Sequence, residues 1–73
     1  MDELIIISLP MSKWQTIAQI VSAYYAEVDP AIAGIKLEEI EVVMNDLNVG
    51  LLGKDKAGVF NKGIKELRKE IQK

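Results

Sequence analysis

Between residues 4 and 9 the chain reads Leu-Ile-Ile-Ile-Ser-Leu and then meets Pro10. A short β-branched run closed by proline predicts a strand rather than a helix. Both of its faces are apolar, and a lone strand leaves its backbone donors and acceptors unpaired, so it needs a second strand. No other segment is as good a strand, which points to the same run, Leu4, Ile5, Ile6, Ile7 and Leu9, in a second copy, paired antiparallel across a two-fold axis. Two other arrangements stay open: an arm lying on its own core, or pairing with a short stretch near Val49 to Leu52.

After Pro10 the period changes from two to 3.6. Ser12-Lys13-Trp14-Gln15 has the S-x-x-Q spacing of a capping box, and a helix is predicted from Lys13 to about Val28. On it Ile20, Tyr24, Ile17, Val28, Val21, Trp14, Tyr25 and Ala18 share an arc of about 160°, read as the core face. The opposite side holds Gln15, Thr16, Gln19, Ser22, Ala23 and Ala26, small or neutral where a solvated helix shows Lys and Glu. That side is suited to a neighbour, so Gln15, Gln19, Ser22 and Ala26 join Leu4–Leu9 as the expected self-association surface.

Asp29-Pro30 restarts the chain as a short turn of helix from Pro30 to Ala33, with Asp as N-cap and Pro at the first helical position. A further helix is expected from about Lys36 to Asn48. Leu37, Ile40, Val43, Met44, Leu47 and Leu51 recur on one face, with Glu38, Glu39, Glu41 and Asp46 elsewhere, mostly near the start where the helix dipole favours carboxylates. Asn48 to Gly53 reads as a helix end and loop. Asp55 then caps a last helix with the stripe Ala57, Phe60, Ile64, Leu67, Ile71, whose two heptads are too few for a free-standing coiled coil and are read as a core contact. The expected fold is therefore a single mainly α domain over residues 1–73, a short strand followed by three principal helices, with the strand paired across a homodimer.

Composition strengthens the case for self-association. Residues 4–26 contain one charged side chain, Lys13, while the positions from Glu27 onward hold 17 of the 20 charges. A domain of 73 residues buries only about 60% of the surface its unfolded chain exposes, and needs a disulfide, a metal or a partner. There are no cysteines and no histidines, which removes disulfides, thiolate metal sites and the commonest general base. Oligomerisation remains.

Charge is also uneven along the chain: residues 54–73 carry seven basic and three acidic groups, net +4, and residues 1–53 two basic and eight acidic, net −6. Lys54, Lys56, Lys62, Lys65, Arg68 and Lys69, with Lys73 beyond them, form a candidate anion or phosphate surface. Against that reading, the chain's pI is near 5.0 and basic residues suit a helix C-terminus, so a solvated helix face is the preferred reading. Gly50-Leu51-Leu52-Gly53 has the G-x-x-G spacing of a nucleic-acid-clamping loop, with leucines where basic or small residues serve phosphate. Gly53-Lys54 lacks the earlier glycine of a phosphate loop, and Asp46-x-Asn48-x-Gly50 lacks the later glycine and glutamate of a calcium loop.

No histidine is present to activate a nucleophile, and Glu38 and Glu41, which share a helix face, read as solvated charges; the chain is not expected to be an enzyme or to hold a cofactor. Tyr24 and Tyr25 lie toward opposite margins of the apolar arc and are candidate contacts for a protein partner, together with Glu38, Glu39 and Glu41. The start MDELIIISLP is acidic where a signal peptide is basic, and no apolar stretch is long enough to cross a bilayer, so a cytoplasmic protein without membrane contact is expected.

A strand, then Leu9-Pro10, a Ser-x-x-Gln-capped helix carrying Trp14, and Tyr25-x-Glu27-Val28-x-Pro30-x-Ile32 together resemble the layout of small uncharacterised phage-encoded proteins over residues 4–35. The resemblance implies a mobile-element setting, in which short cysteine-free chains bind and block a host factor or sequester a small ligand; it carries over no functional residue. The functional expectation is a non-enzymatic, oligomeric interaction protein of that kind. The alternatives are a nucleic-acid-binding regulator using the basic last helix, and a sponge holding an anionic ligand between subunits.

Overall fold

The computed structural model describes residues 3–32 and 34–72, so Ala33 at the end of the expected short turn and Lys73 at the end of the basic run lie outside the described residues. Three helices follow one another: α1, Met11–Glu27; α2, Leu37–Leu52; and α3, Lys54–Ile71. They pack as an up-down-up bundle in which α1 and α3 run the same way, and every pair of helices is in contact. Mainly α is the right class. The expected strand is absent: among the described residues none is in a strand, and residues 3–9 run without turn or bend into Pro10 and pair with nothing. A single chain has no second strand to offer, and its three helices keep their backbone groups occupied internally.

Each helix boundary has a local cause. The capping box at Ser12 does not form; α1 begins one residue after Pro10, whose carbonyl accepts from the Lys13 and Trp14 amides at 3.0 and 3.2 Å. Pro10 is the N-cap residue, its φ fixed near −57°, and no side chain caps the first amides. Asp29 does cap a turn, its Oδ1 accepting from the Ala31 amide at 2.9 Å. The α2 helix runs four residues past its expected end, through Gly50 to Leu52, so the expected loop shrinks to one residue. Gly53, with φ 86° and ψ 159°, closes α2 through its amide to Val49 O and opens α3 by accepting from the Ala57 amide. That backbone region is nearly glycine-only, which is why one residue can turn the corner.

The stripes place Ala18, Tyr25, Val28, Ile40, Met44 and Ala57 correctly in the interior, but Ser22, Ala26, Asn48 and Asn61 are buried beside them and were not on any stripe. On α1 the inward positions are Ala18, Ser22, Tyr25 and Ala26; on α2 Ile40, Met44 and Asn48; on α3 Ala57 and Asn61. Tyr25, Val28, Ile40 and Met44 form a conventional apolar core, with Val21, Leu37 and Ile64 against it. The remaining buried positions are small or polar. Close helix approach is available to alanine and serine but not to leucine, so α3 settles on the side of α1 that lacks bulk. This corrects the self-association reading of Ser22 and Ala26: both are buried within the protomer, and the neighbour that their face accepts is its own α3.

Candidate functional site

Because α3 covers the small-residue side, three bulky stripe residues, Ile20 and Tyr24 of α1 and Val43 of α2, are left exposed. Ile20 and Tyr24 on α1 face Val43 on α2 and Ile35 in the connecting segment, over a floor of Val21 and Ile40. All four rim residues are exposed, Ile20 by 62%. They enclose a groove of about 370 Å³ whose one charged neighbour is Glu39. At the other end of the same helix pair, Leu9, Met11 and Trp14 meet Leu47 and Leu51 in a second hollow that Asp46 also lines. Of the two tyrosines, Tyr24 reaches the groove, while Tyr25 is buried in the core.

The polar interior is tied by asparagines that hydrophobic periodicity does not mark. Asn48 Nδ2 donates to Asn61 Oδ1 at 2.7 Å, and Asn61 Nδ2 donates to Asn45 Oδ1 at 3.0 Å, a relay that joins α2 to α3. Buried amides need such partners, and a single satisfied network of this kind fixes helix register. The Ser22 hydroxyl, also buried, has no hydrogen-bond partner.

Two of the six candidate cations are engaged within the fold. Arg68 Nη1 donates to the carbonyls of Tyr25 and Val28, each at 2.7 Å, and its guanidinium lies 5.5 Å from the Tyr25 ring centroid. It thereby occupies the free carbonyls at the C-terminus of α1, where a positive charge also suits the helix dipole. Gln72 adds a bond to Glu27 O at 3.1 Å. Lys65 pairs with Glu41 at 2.6 Å across α2 and α3, beside a polar hollow that Glu38 and Asn45 also line. Lys54, Lys56, Lys62 and Lys69 are exposed, as are Gln15 and Gln19, which border a hollow with Phe60 and Leu52. Among the described residues no group of three or more acidic side chains is gathered as a metal site requires, and no helix is long and apolar enough to cross a membrane.

Burial, and next to it the Glu41 carboxylate, push the Tyr25 hydroxyl above its ordinary value, with Lys65 and Arg68 opposing. The hydrogen bond to Glu41 and the charge beside it likewise raise Lys65. In both cases the folded state favours the protonated form. The stability this supplies is fully present below the ordinary values, near 10, and is lost as pH rises through the folded ones. Urea midpoints should therefore hold up to about pH 10 and fall above it, and Tyr25→Phe, which keeps the ring but cannot ionise, should show a shallower fall.

Comparison of the chain with protein-family models, with curated proteins and with solved structures finds no match.

Proposed function

We propose that the protein is a non-enzymatic interaction module that works as an oligomer and binds a protein partner. The observation that carries this reading is the open α1/α2 groove, in which apolar side chains patterned for burial are left at the surface by the position of α3. The whole chain exposes 5885 Å², against about 4,500 Å² for a compact monomer of its 8.1 kDa mass. Self-association covers such a face, and the acidic start of α2 and the exposed lysines of α3 then remain for a different partner. With the resemblance to phage-encoded chains, the reading extends to a cytoplasmic accessory factor that binds and blocks a host protein. The nucleic-acid and anion-sponge readings have less support, because Arg68 and Lys65 are committed to Tyr25, Val28 and Glu41.

Sedimentation at tens of micromolar tests the oligomer. The intact chain should sediment above 8.1 kDa. Val43→Glu, which places a carboxylate on the rim of the groove, should weaken self-association at least 10-fold with the helical circular-dichroism signal unchanged. A monomeric intact chain would show the reading to be wrong.

A further inference from the structure

We infer that assembly proceeds by reciprocal arm exchange, with residues 4–7 of each copy seated in the α1/α2 groove of the other. The inference rests on the oligomer reading above and names the segment that fills the groove. Two features of the protomer are incomplete alone. One is the groove. The other is the arm, in which Leu4 and Ile6 are each 96% exposed and no hydrogen bond ties residues 4–9 to the described bundle. Each supplies what the other lacks: the arm carries no charge from Leu4 to Leu9, and the groove lining carries one, Glu39.

The dimensions agree. Leu4 and Ile6, two residues apart on an extended arm, stand about 7 Å apart. The groove lining on α1 runs from Ile20 to Tyr24, about 6 Å at the helical rise. Alternation along a strand puts Leu4 and Ile6 on the same side, so both can enter the groove together.

Geometry favours a second copy over self-docking. To lie along its own α1 the arm must reverse direction between Ser8 and Met11, yet residues 3–10 show no turn or bend, and Pro10 is extended at φ −57° and ψ 149° as it enters the helix. Leu9, half-buried beside Trp14, Leu47 and Leu51, holds the root of the arm at the end of the helix pair. A two-fold axis delivers each arm to the other groove without a reversal, in the isologous manner of closed dimers. The protomer exposes roughly 1,400 Å² more than a compact monomer of its mass, and that surplus includes the extended arm, which exchange buries.

The test is complementation between two defective chains. One lacks residues 1–7 and keeps Leu9, Pro10 and an intact groove; the other is Val43→Glu, with an intact arm and a charged groove. Each alone should sediment as a monomer of native helix content. Mixed in equal amounts they should recover a species of about two protomers, because one good arm meets one good groove. Ile6→Asp, at a side chain that touches nothing in its own protomer, should behave as the shortened chain does, and stands in for it if that chain fails to fold. An arm-deficient chain that still dimerises overturns arm exchange and leaves the oligomer reading standing. Failure of the mixture to recover a dimer also overturns it, in favour of face-to-face packing. An intact chain that is monomeric, its arm folded on its own groove, overturns both.

Discussion

Placing a carboxylate at Ser22 (Ser22→Asp) should unfold the protomer, whereas the same charge at Gln19 (Gln19→Glu) should leave the fold intact. Ser22 is 3% exposed between helices, and its hydroxyl already lacks a hydrogen-bond partner. An uncompensated buried charge costs about 3–5 kcal/mol. A domain of this length has roughly 4–11 kcal/mol in all at typical stability per residue. The loss should appear as collapse of the helical circular-dichroism signal at neutral pH, partly regained near pH 4 as the introduced carboxyl takes a proton. Gln19, on the next turn but exposed, has water to solvate its charge. If Ser22→Asp folded normally and only lost self-association, the inward assignment of this face would be wrong.

Truncation of Met44 (Met44→Ala) is the second large effect, with an expected cost of about 2–5 kcal/mol. Met44 is the one large side chain with no exposure among the described residues, and it packs with Tyr25, Val28 and Ile40 in the apolar part of the core. The cost depends on how far Tyr25, Val28 and Ile40 can close on the space vacated. A fall in the urea midpoint with an unchanged slope would mark a stability change without a change in compactness. Val42→Ala, at an exposed position two residues earlier, is the matched control.

Helices were legible in the sequence because 3.6-residue periodicity and the Asp29-Pro30 punctuation act within a few residues. Their ends were less so. Ser12-x-x-Gln15 has the spacing of a cap, but the N-cap falls two residues earlier, at Pro10, whose carbonyl accepts from the Lys13 and Trp14 amides. Gly50 read as part of a loop, yet an isolated glycine costs a helix only about 1 kcal/mol. It stays helical while Gly53 takes the one conformation that needs glycine.

The candidate site was only partly visible. Tyr24, Glu39 and the arm residues Leu4–Leu9 were singled out from the sequence, and Tyr24 and Glu39 do border the groove. Ile20, Ile35 and Val43 were missed as surface residues because hydrophobic periodicity reports a side chain fit for burial, not what buries it. The same limit hid Asn48 and Asn61. A buried amide is recognised by its partner, and the partner lies thirteen residues away on another helix.

The sequence by itself determined that this chain is helical, that it lacks the side chains for thiolate or imidazole chemistry, and that its first third is nearly without charge. Those properties are local or additive. Which face of each helix became the interior was decided only by the tertiary structure, because α1 has two faces that both avoid charge. The choice between them depends on what α3 brings: Ala57, Asn61 and the Arg68 clamp fit the small, neutral side and the open end of α1. With α3 there, Ile20 and Tyr24 at the margin of the bulky side were left uncovered, and the groove exists for that reason.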